Sequence, residues 1–278
     1  MLTDLRGLSG LPGRKGALLA NTGWLLLDRF FRLLIAVLVG AWVARHLGPV
    51  AYGELAYVLA LLMLFQAACA LGLDGPVVRE IAQNPGHASA ELGSALRLRI
   101  GAGVLGWLAA ILTVHLLRPG DMDALSMIAI AGASLIFQPA QVVDLWLQSE
   151  SQSRVSIPFR LAAYCIVALG KIGLILAEAP LWMFAAAALT DMVLVAVALA
   201  LAHKRWPSPS RWTWDGVRAK RLLIESWPFL LSAVSVGIYM RIDQVMLREL
   251  ADEYQLGLYS AVMPFSQVWH MFPMPLYA

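Results

Sequence analysis

The sequence predicts an all-α protein, a polytopic membrane bundle of helices. Of its 278 residues, 60% are hydrophobic and 14% are charged, whereas a soluble domain has about 25% charged residues. Apolar runs of about 20 residues, the length that crosses a bilayer as a helix, follow one another along the chain. The net charge of +3 is small, and it does not suggest nucleic acid binding.

The apolar runs define seven complete spans and the beginning of an eighth. Most connections are short, and Gly48-Pro49, Pro119-Gly120 and Ala179-Pro180 are predicted turns. Pro139 falls within the fourth span and is expected to kink it. The predicted spans are 22–47, 55–73, 95–117, 124–147, 157–177, 181–202, 223–248 and, for the eighth, from 256 to the end.

The distribution of basic residues predicts the orientation. Most of the 21 Lys and Arg residues fall on the side of the membrane that holds the N-terminus, and the loops on the opposite side contain Arg45, Arg118 and Arg248. Because cytoplasmic loops are enriched in Lys and Arg, we expect a multi-pass membrane protein with a cytoplasmic N-terminus.

The longest connection, 203–222, is basic and rich in tryptophan, and we interpret it as a cytoplasmic interfacial linker. A smaller interfacial piece is predicted at 76–94. The sequence then predicts a six-helix lobe over 1–202 and the start of a second lobe over 223–278.

An internal repeat supports this division. Arg45 and Leu47 align with Arg248 and Leu250 and, with one inserted residue, Gly53 aligns with Gly257. Six spans, a linker and a restart are typical of secondary transporters. Because the sequence stops within its eighth span, we expect a fragment of a longer transporter.

Charged residues within the first span suggest a polar interior. Arg29 and Arg32 continue into the small residues Ala36, Gly40 and Ala44 along one stripe of the helix. A charge at this depth costs at least about 2.5–3.5 kcal/mol, so it is a functional candidate. In the alternative interpretation the two arginines snorkel to the interface, or Asp28 neutralises Arg32 one turn away.

Two further cations are predicted to join the arginines in an anion-binding cavity. Lys171 ends a stripe that includes Arg160, Tyr164 and Val167 on the fifth span, and Arg241 lies in the seventh. Arginine binds phosphate bidentately and lysine supplies a point charge. The membrane acids Asp28, Asp144, Asp191 and Asp243 are candidates for ion coupling, or for structural pairing with cations.

Nothing in the sequence predicts catalysis or a bound cofactor. The five histidines show no spacing typical of a metal site or a catalytic triad, and no Gly-rich phosphate loop is present. We interpret Cys69 and Cys165 as membrane-buried thiols that form no disulfide and bind no metal. The expected protein is therefore not an enzyme.

Three stretches carry a family resemblance. They are GWLLLDRFFRLLIAVLVGAWVARHLGPVAYGELAYVLAL in the first two spans, DLWLQSESQSRVSI at 144–157, and YMRIDQVMLREL at 239–250 followed by GLYSA. In order and spacing the chain resembles the bacterial polysaccharide biosynthesis flippases, which translocate O-antigen and capsule repeat units. These belong to the multidrug/oligosaccharidyl-lipid/polysaccharide exporter superfamily.

The resemblance implies a function. A protein of this kind moves undecaprenyl-pyrophosphate-linked oligosaccharides across the inner membrane by alternating access of two lobes around a basic cavity. Its expected partners are the lipid-linked oligosaccharide, membrane lipids, a polysaccharide polymerase and a chain-length regulator. A drug or organic-cation exporter of the same superfamily and a membrane enzyme of polysaccharide assembly are the alternatives. The four intramembrane basic residues weigh against the cation exporter, and the short outside loops weigh against the enzyme.

Overall fold

The computed structural model describes residues 11–150, 152, 155–208 and 211–267, and this part of the chain is helical and contains no strand. Six of its segments are long and apolar enough to cross a membrane, so the chain is a multi-pass membrane bundle. The α-helices are α1 (Leu11–Cys69), α2 (Asp74–Gln83), α3 (Ala88–Leu117), α4 (Met122–Gly132), α5 (Val142–Ser149), α6 (Ser156–Leu176), α7 (Leu181–Arg205), α8 (Gly216–Leu250) and α9 (Glu253–Gln267).

A turn at Gly48 divides α1 into a first arm, residues 11–47, and a second arm, residues 49–69. Gly48 has a φ of 73° and a ψ of 169°, a conformation that glycine adopts without a Cβ clash. Pro49 follows and has no N–H for the helical hydrogen-bond ladder. The two arms are the first two predicted spans, and the predicted turn between them is confirmed.

The fourth predicted span is not one continuous helix. Helix α4 passes into two short 3-10 turns, Ala133–Ile136 and Gln138–Gln141, before α5 begins. Pro139 lies in the second turn, where its missing N–H interrupts the ladder as the sequence predicts.

Helix α2 corrects the predicted interfacial piece at 76–94. Val77 and Ile81 are fully buried in the protein core, where α2 packs against α5. The piece also ends early, because α3 begins at Ala88. The alternating apolar residues therefore face other helices, which an isolated amphipathic pattern does not distinguish from a membrane surface.

The linker is shorter than predicted and is attached to α3. Helix α7 continues to Arg205 and α8 begins at Gly216. Asp215 caps α8 by accepting hydrogen bonds from the backbone N–H groups of Val217 and Arg218. The Ser94 hydroxyl on α3 accepts the backbone N–H of Asp215 at 3.2 Å. The end of the bundle that holds these contacts is called the linker end below.

The opposite end of the bundle, the far end, contains a close helix crossing. A Cβ on Gly53 of the second arm would lie 2.0 Å from the carbonyl oxygen of Glu253 on α9. A Cβ on Gly257 would lie 1.9 Å from the carbonyl oxygen of Pro49. The aligned glycines of the predicted repeat thus pack against the beginnings of each other's helices.

Two buried clusters hold the bundle together, one at each end. The far-end cluster includes Val58 from α1, Ile128 from α4 and Leu256 from α9. The linker-end cluster includes Leu92 from α3 and Leu222 from α8. Large apolar side chains on the outside remain exposed, as expected for helices that face lipid; on α3 these include Leu105, Leu108, Leu112 and Leu116.

Candidate functional site

A cavity of about 380 Å³ lies between both arms of α1 and helices α6, α7 and α8, with Pro264 of α9 completing its wall. Most lining residues are apolar, as expected within a membrane bundle. The polar lining residues are Tyr52, Gln66, Tyr164, Lys171, Asp191, Arg241 and Gln244. Two of the four predicted substrate-binding cations, Lys171 and Arg241, therefore reach one cavity from separate helices.

Lys171 interacts with an acidic residue that lines the same cavity. It lies on α6 with Tyr164 and Val167, the stripe that the sequence predicts to point inward, and all three line the cavity. Asp191 on α7 also lines the cavity and interacts electrostatically with Lys171. A cation and a carboxylate that attract each other here reduce the cost of both charges in the membrane.

Arg241 enters the cavity from α8. Its Nη1 donates a hydrogen bond to Oε1 of Gln244 at 3.4 Å, and Gln244 is buried. The Nε of Arg241 is buried and has no hydrogen-bond partner in the described part of the chain. Tyr52 and Asp243 interact electrostatically with Arg241.

The predicted site residues of the first arm are only partly described. The side chains of Asp28, Arg29 and Arg32 lie outside the described residues. Ala36 and Gly40, which continue the stripe of the two arginines, line the cavity. The structure therefore places this stripe at the cavity without describing the charges at its beginning.

Asp144 lies in a second cavity, of about 350 Å³, closer to the linker end. Arg160 on α6 pairs with it at 2.8 Å, and the Ser156 hydroxyl donates to it at 2.8 Å. Gln141 of this second cavity approaches the sulfur of Met192, which lines the first, at 4.0 Å. The predicted α6 stripe thus borders two cavities, and Asp144 is paired within the second.

Asp243 does not line the first cavity. The Tyr259 hydroxyl on α9 donates a hydrogen bond to its Oδ2, and its Oδ1 accepts the backbone N–H of Gln244 at 2.8 Å. Arg241, two residues earlier, faces the cavity. The two charges of this helix therefore face different walls, as their spacing predicts.

A polar cluster at the far end joins α8 to the earlier helices. The Tyr57 hydroxyl donates to Oε1 of Glu249 at 3.0 Å, and Arg118 approaches the same oxygen at 3.4 Å. The Arg118 guanidinium also lies 4.8 Å from the centre of the Tyr57 ring. Burial lowers the pKa of Arg118, but the charge and hydrogen bond of Glu249 outweigh burial, so this pKa lies above its ordinary value. Arg118 therefore stays charged in this cluster.

Ion pairs at the linker end also connect α8 with the first helices. Arg218 pairs with the buried Glu91 of α3 at 2.9 Å, and Arg79 of α2 lies 3.3 Å from Glu225. No group of three or more potential metal ligands was found among the described residues. Cys69 and Cys165 are free thiols, and Cys69 is buried.

Comparison with known proteins identifies the family. A model of the polysaccharide biosynthesis protein family matches residues 18–277, nearly the whole chain. The chain belongs to this family. A search of curated proteins found no match.

The fold of this polysaccharide biosynthesis protein also occurs in a transporter of known structure. That structure is described as the inward-facing conformation of a multidrug resistance MATE family transporter of the MOP superfamily. It superimposes with a TM-score of 0.62 at 15% sequence identity. The match covers 84% of this chain and 59% of the transporter, so the chain spans less than two thirds of the transporter's length.

Sequence reasoning missed two polar residues of this family member. It did not predict that Glu249, near the end of α8, contacts Tyr57 and Arg118. It also passed over Gln66, although a single amide within the apolar run LLMLFQAAC is a signal for a protein-facing position.

Proposed function

We propose that this polysaccharide biosynthesis protein acts in a transporter that flips undecaprenyl-pyrophosphate-linked oligosaccharides across the bacterial inner membrane. The N-terminus and the linker are cytoplasmic in this proposal, and the far end is periplasmic. Family membership and the likeness to a transporter fold support it. The cargo supplies repeat units for a surface polysaccharide such as O-antigen, capsule or exopolysaccharide.

The convergence of Lys171 and Arg241 on one cavity carries the proposal. A pyrophosphate with attached sugars is too polar for hydrocarbon and needs a polar surface with fixed positive charge. The cavity volume of about 380 Å³ lies within the range of small-molecule sites, about 300–1,000 Å³. That space suits the diphosphate and the adjoining sugar, while the isoprenoid chain stays in lipid.

Arg29 and Arg32 extend this path toward the linker end in our proposal. They precede Ala36 and Gly40 on one helical stripe, and these two small residues line the cavity. Cations at successive depths divide the binding energy among several modest sites, so the cargo is released more readily than from one deep site.

The contacts at the far end support an alternating-access cycle. The glycine crossing and the cluster of Tyr57, Arg118 and Glu249 join α1 and the α3–α4 loop to α8 and α9 above the cavity. In the proposed cycle these contacts separate when the cargo leaves toward the periplasm, while the linker-end contacts stay formed, and the linker-end contacts separate in turn to admit the next cargo.

A drug or cation exporter is the competing proposal, and the structural likeness to a multidrug transporter favours considering it. Cation sites favour accessible carboxylates, because an opposite charge nearby stabilises the cation. Asp144 pairs with Arg160, Asp243 accepts a hydrogen bond from Tyr259, and Asp191 interacts with Lys171. This distribution of acids favours an anionic cargo.

The proposed transport involves no catalytic step or cofactor, and a polymerase and a chain-length regulator are its proposed downstream partners.

Alanine substitution of the cavity cations tests the proposal. The variants Lys171→Ala, Arg241→Ala, Arg29→Ala and Arg32→Ala are expressed in a strain that lacks its own flippase, and membrane abundance and surface glycan are measured together. We expect normal abundance for the three arginine variants and a lower abundance for Lys171→Ala, which leaves the charge of Asp191 uncompensated. Export per molecule should fall about 10- to 100-fold for each cation, since one charge-assisted contact is worth about 1.5–3 kcal/mol.

The matched control is Arg45→Ala, because Arg45 is exposed and does not line the cavity. This variant should export normally. Normal export by the four cavity variants would overturn the proposal, and export of organic cations in place of glycan would favour the competing one.

A further inference from the structure

An open groove of about 740 Å³ lies at the linker end, away from the proposed transport cavity. It is formed by α5, the last turns of α7 and the linker. Its lining includes Val143, Ala200, His203, Lys204, Arg211 and Trp212. Its lining combines apolar side chains with two exposed cations, Lys204 and Arg211, which we call the rim, so the groove has an amphipathic surface.

Trp212 forms a fixed wall of this groove. Its Nε1 donates a hydrogen bond to the Ser208 hydroxyl at 2.8 Å. Its ring meets the edge of the His203 ring with the centroids 5.5 Å apart. It also packs against the linker-end core cluster. The wall is therefore positioned by the folded protein, and it presents an indole of the kind that prefers the headgroup level of a membrane.

An apolar face of α7 leads from the membrane-facing surface into the groove. Val197 is 50% exposed and Leu201 is 44% exposed. Ala200 is exposed beside them. Positions 197, 200, 201 and 204 follow the i, i+3, i+4, i+7 pattern, so these residues and Lys204 share one helix face. A hydrocarbon chain that lies along this face ends at the ammonium group of Lys204.

The rim of the groove has the charge that binds phosphate. Lys204 and Arg211 are both exposed, and none of the described residues that line the groove is a carboxylate. Arginine binds phosphate oxygens bidentately, and lysine adds a point charge. His203 also lines the groove, and its Nδ1 is buried and has no hydrogen-bond partner among the described residues.

We propose that this groove binds an anionic phospholipid from the leaflet at the linker end. The headgroup phosphate contacts Lys204 and Arg211, and one acyl chain lies along Val197, Ala200 and Leu201. The lipid thereby attaches the linker, which connects α7 with α8, to the membrane surface. This site is separate from the cavity that holds Lys171 and Arg241.

Lipid titration of the purified chain tests this proposal. The detergent-solubilised protein is titrated with phosphatidylglycerol or phosphatidylcholine, and bound lipid is counted by native mass spectrometry. We expect tighter binding of phosphatidylglycerol. Lys204→Gln and Arg211→Gln should each weaken it about fivefold, the effect of one basic residue at an anionic surface. Circular dichroism verifies that each variant keeps its helicity.

Arg205→Gln is the matched control, because Arg205 is exposed on the same helix turn but does not line the groove. It should bind phosphatidylglycerol like the unaltered chain. Equal binding of the two lipids, or an equal loss in Arg205→Gln, would overturn the proposal. So would displacement of the lipid by soluble glycerol phosphate or by an isoprenyl diphosphate at a similar concentration, since these results assign the groove to free phosphate or to the cargo.

Discussion

At the scale of single residues, the cavity contains charges with different surroundings. Lys171 has the carboxylate of Asp191 close enough for electrostatic interaction. Arg241 donates to an amide, and its Nε has no partner in the described part of the chain. A charge without compensation costs several kcal/mol within a membrane. We therefore infer that Asp191 stabilises Lys171 in the protein without cargo.

Substitution of both members of this pair separates structure from transport. Asp191→Asn should lower membrane abundance, because it leaves the Lys171 charge uncompensated at a cost of about 3–5 kcal/mol. Adding Lys171→Met should restore abundance by removing that charge. Export should stay low in the double variant, because the cargo loses its cation. Recovery of both abundance and export would contradict this, and would make the pair purely structural.

At the scale of elements, the crossing of the second arm with α9 depends on two glycines. Gly53 lies four residues after Pro49, whose carbonyl contacts Gly257. In the same way, Gly257 lies four residues after Glu253, whose carbonyl contacts Gly53. The contact is therefore nearly symmetric, as expected for two copies of one repeat. Small residues at such crossings let helix backbones approach closely, which is how membrane helices gain packing energy.

Alanine at either glycine should separate these helices. Its Cβ would overlap a backbone carbonyl that no side-chain rotation can move, so we expect Gly53→Ala and Gly257→Ala to destabilise the protein by about 1–3 kcal/mol. Gly173→Ala on α6 is the control, because no atom lies within 4 Å of its added Cβ. Thermal aggregation in detergent, followed by size-exclusion chromatography, measures the difference. Equal midpoints for all three variants would show that the crossing contributes nothing.

At the scale of the whole molecule, polar contacts lie at both ends of an apolar bundle and the transport cavity lies between them. The far-end cluster joins residues far apart in the sequence, such as Tyr57 and Glu249. The linker end is joined by pairs such as Arg218 with Glu91. Because both ends hold α8 against the first helices, opening of either end requires helix movement and not only side-chain rotation.

Cysteine labelling of intact cells tests the predicted orientation of this bundle. Asp123 and Lys220 are exposed near the far end and the linker end, and each is replaced by cysteine after Cys69 and Cys165 are removed. An impermeant maleimide should label Asp123→Cys in intact cells, and Lys220→Cys only after permeabilisation, because basic segments stay cytoplasmic. The reverse pattern would overturn the orientation and, with it, the direction of transport.

The spans and their breaks could be predicted from the sequence because they depend on local properties. Helical hydrogen bonds join residues four apart, and the transfer of a helix into lipid follows the apolar content of about 20 consecutive residues. The seven complete predicted spans therefore overlap described helices, the described part of the eighth lies in α9, and Gly48-Pro49 and Pro139 interrupt helices where expected. The family also follows from motifs that are local in the sequence.

The partners of the charges depend on the tertiary structure. Helical periodicity indicates that Lys171, Tyr164 and Val167 share a face, but not that Asp191 of the next helix lies opposite. The contacts of Glu249 with Tyr57 and Arg118 could not be predicted for the same reason, because they cross 192 and 131 residues. Which faces meet is decided by how helices pack across the whole bundle, and that packing is a sum of many weak contacts that no single segment contains.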